Sequence, residues 1–110
     1  MNRSKAKGTQ WESAVVTYLQ EHGFPLCERR TLSGAQDKGD IAGIAGWTLE
    51  AKNRKSLDLS GAVNEAAVEA GHARTRWYAA VIKRPGKGQA ADGYVVMPLS
   101  VFADFIRDDL

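Results

Sequence analysis

The chain has 110 residues, 44% of them hydrophobic and 25% charged, with a formal net charge of +2. These are the proportions of one globular domain that can bury a core, and they leave no room for a second. No stretch approaches the roughly 18 apolar residues of a membrane helix, and residues 1–5 are basic without an apolar run behind them, unlike a secretory signal.

A single cysteine, Cys27, rules out an internal disulfide and points to a reducing, cytoplasmic compartment. One cysteine and two histidines also cannot build a Cys/His zinc site. Any metal would have to be held by carboxylates, which suit a hard cation such as Mg2+ or Mn2+.

In chain order, residues 1–8 are polar and basic and read as a flexible segment ahead of a single domain over 9–110. From Thr9 a helical pattern begins: Trp11, Ala14, Val15, Tyr18 and Leu19 share one face, and Gly23 ends it as a left-handed cap. Residues 25–32 read as a strand, 33–36 as a loop, 40–44 as a short strand and 45–46 as a tight turn. Over 47–53 the chain alternates, with Trp47, Leu49 and Ala51 facing one way and Thr48, Glu50 and Lys52 the other. So short a turn predicts an antiparallel hairpin.

A second helix carries Leu59, Ala62, Val63, Ala66, Ala67 and Ala70 on one face, small enough to lie close on a sheet. Residues 77–83 read as a buried strand, 85–88 as the start of a flexible loop, 93–97 as a strand and 98–106 as a last helix. The order αβββαββα predicts an α/β fold with a central mixed sheet flanked by helices on both faces. Trp11, Trp47 and Trp77 read as core residues rather than base-stacking platforms. Phe102, Phe105 and Ile106 form an apolar stripe that either completes the core or builds a dimer interface. His22 and His72 sit near helix ends.

The chemistry gathers on the central hairpin. Residues two apart on a strand share a face, so Glu50 and Lys52 present a carboxylate and an ammonium side by side. Asp40 leads into the neighbouring strand and reaches the same patch, and Asp37 is a loop carboxylate that competes less well. Asp40 and Glu50 offer oxygen ligands to a divalent cation, and the Ala51 backbone carbonyl is a natural third. Such a cation binds a phosphate oxygen and yields hydroxide near neutral pH. Lys52 would orient or deprotonate the attacking water, or steady the phosphorane. These parts suffice for phosphodiester hydrolysis. Glu-x-Lys alone is weak, being as common on a solvated strand; Asp40 on the adjoining strand is what gives it weight.

The pattern Lys7-Gly8, Glu12, Gly23-Phe24, Arg30, Ser33-Gly34, Gly39-Asp40 and Glu50-Ala51-Lys52 resembles the PD-(D/E)XK nuclease superfamily, and within it the archaeal-type Holliday junction resolvases and their phage relatives. The resemblance covers roughly residues 5–55, and the remainder by element order only. It implies a restriction-endonuclease-like core and Mg2+ dependence, with Mn2+ as a substitute. It further implies a homodimer acting on four-way DNA junctions, and a host-cytoplasm location for a phage-encoded chain. By the same resemblance Glu12, Asp40, Glu50 and Lys52 are the catalytic positions, with Glu12 a further metal ligand. From spacing alone, Thr9-Gln10-Trp11-Glu12 reads first as a capping box, with Glu12 reaching back to the Thr9 amide; the resemblance is what turns Glu12 toward the metal. Gly39 stands where the superfamily name has proline, and Ser13 where the archaeal enzymes tend to have arginine.

The basic residues are clustered. Arg74, Arg76, Lys83, Arg84 and Lys87 lie between Glu69 and Asp92 without an acid among them, a pattern that suits a phosphate backbone or a solvated surface. Candidate DNA contacts are Lys7, Arg29, Arg30, Ser33, Lys38, Arg54, Lys83, Arg84 and Lys87. One of Arg29 and Arg30 should face the site; Ser33 is either a hydroxyl near the scissile phosphate or a turn residue. A chain this short has little beyond a catalytic core, so it is expected to recognise DNA shape through phosphates rather than base edges. A general or nicking nuclease of the same kind, or a non-catalytic DNA-binding subunit, are the competing readings.

Overall fold

The computed structural model describes residues 3–30 and 39–108, the side chains from residue 6 onward. Helix α1 spans Arg3–Glu21 and buries Trp11, Val15 and Val16. It therefore begins six residues before Thr9, and residues 3–8 are helix rather than a flexible leader. Arg3, Lys5, Ala6 and Lys7 are good helix formers, interrupted by Ser4 and Gly8. Thr9 is thus inside the helix, where its neighbours' amides already have intrahelical partners, and the capping-box account of Glu12 falls. At the other end Gly23 takes φ +105°, and the Phe24 amide bonds back to the Leu19 carbonyl at 3.0 Å, the left-handed exit expected there.

Strands β1 (Glu28–Arg29), β2 (Ile41–Ala42) and β3 (Trp47–Lys52) follow, then helix α2 (Leu59–Ala73), β4 (Trp77–Ile82), a short 3-10 turn (Ala90–Asp92), β5 (Tyr94–Val96) and helix α3 (Leu99–Asp108). The strand expected over 25–32 is reduced to two residues. Pro25 and Leu26 sit in a turn closed by the Cys27 amide on the Phe24 carbonyl, and residues 31–32 lie outside the described range. The strand expected over 40–44 is likewise cut to Ile41–Ala42.

The five strands form one sheet in the order β1-β2-β3-β4-β5. β3 and β4 run parallel while the other neighbours are antiparallel, so the sheet is mixed. The helix α2 connects the two parallel strands, as a crossover must. β3 sends Leu49 and Ala51 to the side where Trp11, Val15 and Val16 of α1 pack. Ala62 of α2 meets Ala80 and Ile82 on the opposite side. The sheet is therefore covered on both faces, and β3 at its centre touches both helices. Trp11 also fixes α1 by donating its indole N–H to the Val81 carbonyl at 3.0 Å.

Of the apolar stripe on α3, Phe105 packs edge-on against Trp47 and Trp77, with ring centroids 5.2 and 5.1 Å apart. The Trp77 indole donates to Asp104 at 2.9 Å. Phe102 and Ile106 stay 46% exposed and do not complete the core. Among the described residues, no helix is long and apolar enough to cross a membrane.

The ends of α2 yield a stability test. Asp58 caps its N-terminus, accepting from the Gly61 amide at 3.0 Å, while Arg74 at its C-terminus is held at φ +58°. Asp58→Ala is expected to cost about 1 kcal/mol. Arg74→Gly relieves the left-handed strain and is expected to stabilise by up to about 1 kcal/mol. Urea denaturation of both variants checks the two opposite signs.

Candidate active site

The register of β2 and β3 sets the site. Ile41 pairs with Leu49, and the Asp40 amide donates to the Leu49 carbonyl at 3.2 Å. Asp40 thereby stands level with Glu50 on β3. Its carboxylate Oδ2 accepts from the Ala51 amide at 2.9 Å, which ties the side chain to β3. A strand residue directs its N–H and C=O to the same edge. The Ala51 carbonyl therefore points toward the Asp40 edge as well, while the Lys52 carbonyl points the other way and accepts from the Lys83 amide.

Glu50 is 4% exposed and faces α2. Its carboxyl lies in hydrogen-bonding reach of the carboxyls of Asp40 and Glu69. Burial, those two contacts and the charges behind them push its pKa from 4.5 up to about 12. Its Oε2 is buried with no hydrogen-bond partner.

Lys52, on the same face, places its Nζ 2.5 Å from Glu65 of α2. Glu12 enters from α1 with an Arg29 guanidinium 3.6 Å away. Burial and then the charge of Asp40 raise its pKa, against the lowering pull of Arg29 and Lys52. Glu12, Asp40, Glu50 and Lys52 thus come together from three elements. Glu12 approaches from one face of the sheet and Glu50 lies on the other.

Glu65 and Glu69, which the sequence reading passed over, complete the cluster. Carboxylate oxygens of Glu50, Glu65 and Glu69 all lie within 4.8 Å of one another. The signal was present: Glu69 is seven residues beyond Ala62 and so falls on the same buried helix face. Gly39, at φ +96°, opens the approach to Asp40. A Cβ there would meet Thr48 Cγ2 at 2.8 Å and Glu69 Oε2 at 3.3 Å.

The basic candidates divide. Arg29 is the arginine at the site, engaged by Glu12. Arg30 is half-buried, and its amide donates to the Asp40 carbonyl at 2.7 Å. Arg54 lines a cleft of about 300 Å³ with Lys52, Ser56, Asp58, Gly61 and Glu65. Arg84 lies 5.8 Å from the centre of the Tyr94 ring, Lys7 and Lys87 are exposed, and Lys83 is half-buried. Ser33, Asp37 and Lys38 lie outside the described residues.

The donor set is all oxygen. Asp40 has one carboxylate oxygen committed to an amide, Glu50 carries a buried oxygen without a partner, and the Ala51 carbonyl faces the same edge. These fit a hard divalent cation. Comparison with protein-family models, curated proteins and solved structures returns no match.

Glu50 makes apo stability depend on pH with a definite sign. Below pH 4.5 it is protonated in both folded and unfolded chains; above it the unfolded chain releases the proton and the fold keeps it, up to about 12. Its contribution is therefore lost as pH rises. With chelator present, the Tm is expected to fall between about pH 5 and 8. Glu50→Gln should flatten that slope and raise stability at pH 8 by roughly 1–3 kcal/mol. Thermal melts of both proteins across the range test this.

Proposed function

We propose that this chain is a metal-dependent endonuclease that hydrolyses DNA phosphodiester bonds, of the PD-(D/E)XK kind with a restriction-endonuclease-like core. The observation that carries this reading is the meeting of Asp40 and Glu50 at the end of β3, with Lys52 two residues on along the same face. Acidic pairs are common on surfaces; here one member, Glu50, is buried, its partner Asp40 is half-buried, and a lysine stands beside them, as at functional sites.

In this reading Asp40, Glu50 and the Ala51 carbonyl hold the cation, Mg2+ or Mn2+. When bound, it supplies a Lewis acid for the phosphate and a water acidic enough to attack it. Lys52 lies beside that position and presents an ammonium to the phosphate or to the water. Glu12 and Arg29 form the wall on the α1 side, where Arg29 offers a phosphate contact once Glu12 releases it. Arg54, in the cleft beside Lys52, continues a phosphate path.

Gly39 qualifies the likeness. Proline holds φ near −65° and does not fit the +96° taken here, so this chain enters Asp40 by a glycine path of its own.

A domain this small is suited to reading shape through the backbone, and a pair of copies would bring two sites to two strands. The substrate proposed is therefore a four-way junction, cut by a homodimer. The test is cleavage of a synthetic junction beside linear duplex and single strands, with Mg2+. Paired symmetric nicks in the junction alone are expected. Asp40→Asn and Lys52→Ala should each lower the rate by at least about 100-fold. Equal cutting of linear duplex would favour a general or nicking nuclease, and activity indifferent to Asp40→Asn would leave a non-catalytic DNA-binding protein.

A further inference from the structure

The set Asp40, Glu50 and Ala51 makes no use of the carboxylates on α2. Glu69 is 2% exposed, on a helix face otherwise made of Ala62, Ala66 and Ala70. Burying a carboxylate in such a place is unfavourable unless a cation or proton accompanies it. With Glu50 and Glu65 it forms a group whose oxygens lie within 4.8 Å of one another. That span is about twice a metal–oxygen bond of 2.1–2.6 Å.

A cluster of acids is not in itself a site. Here a second observation points to a ligand: Glu50, 96% buried, belongs to the group and its Oε2 has no hydrogen-bond partner. On its exposed side the cluster meets the Lys52 ammonium, 2.5 Å from Glu65. Without metal the crowding of these groups is relieved by the proton that Glu50 retains, and a divalent cation could take that proton's place.

We propose that Glu50, Glu65 and Glu69 bind a second divalent cation of the hard, oxygen-preferring class on the α2 side of β3. Glu50 is shared between this site and the Asp40–Ala51 site. The sharing rests on the reading of Asp40 and Glu50 as metal ligands; the α2 site stands on its own carboxylates. A cation on Glu65 also takes over the partner of Lys52, so filling this site frees the ammonium to turn toward a phosphate. The α2 site would in this way make Lys52 available only when metal is bound.

The test is Mn2+ binding to the full chain without DNA, counted by electron paramagnetic resonance and by calorimetry. Two ions per wild-type chain are expected. Glu65→Gln and Glu69→Gln should each weaken one ion at least tenfold and leave the other, and Asp40→Asn should remove the ion that those variants keep. The Glu65 side chain is 47% exposed, so Glu65→Gln is expected to fold even if Glu69→Gln does not; circular dichroism checks both. One ion per chain, lost in Asp40→Asn and indifferent to both α2 variants, overturns the second site and leaves the first intact. No bound ion at millimolar Mn2+ overturns both. Junction cleavage, measured separately, reports on the nuclease reading itself.

Discussion

Carboxyl groups crowded together away from water cannot all ionise, and here the buried Glu50 meets the buried Glu69 and the half-buried Asp40. Coulomb repulsion at hydrogen-bonding distance is strong where the dielectric is low. In the cation-free protein the resolution is a retained proton on Glu50, whose pKa is pushed up to about 12. A divalent cation resolves the same conflict by supplying charge. Much of what is proposed for this chain follows from that choice between a proton and a metal.

The fold enforces the meeting through strand register. The antiparallel pairing of Ile41 with Leu49 brings Asp40 level with the end of β3, and the Ala51 amide fixes its carboxylate there. The parallel pairing of β3 with β4 needs a crossover, and the crossover is α2, which carries Glu65 and Glu69 over the same face. Trp11, with its indole anchored on Val81, seats α1 so that Glu12 approaches from the other side. Burial of apolar side chains on one face of β3 thus holds the polar groups of the other face against α2. The cost of desolvating them is met by the surrounding packing, as is common where a fold serves a site rather than stability alone.

The central hairpin was readable from sequence because strand periodicity is short and strict. Alternation over 47–52 separated Leu49 from Glu50 correctly, and a link of only residues 43–46 left Asp40 little choice of neighbour. Helix boundaries were less readable: Thr9 and Glu12 match a capping box, yet a run of good helix formers ahead of them carries α1 back to Arg3. Glu69 was obscured by its alanine neighbours, whose small size drew the face as purely apolar. Gly39 was legible as a departure from the motif's proline, but its consequence was not, because a motif records residue types and not the φ of +96° taken here. The short strands β1 and β2 were overdrawn, since propensity does not report where pairing stops.

The most direct test of the central claim is anomalous diffraction from crystals of this chain grown with Mn2+. The account predicts a peak bonded at about 2.1–2.3 Å to oxygens of both Asp40 and Glu50 and to the Ala51 carbonyl. A Mn2+-saturated crystal with no peak there, and with the Glu50 carboxyl still against Asp40, would contradict it.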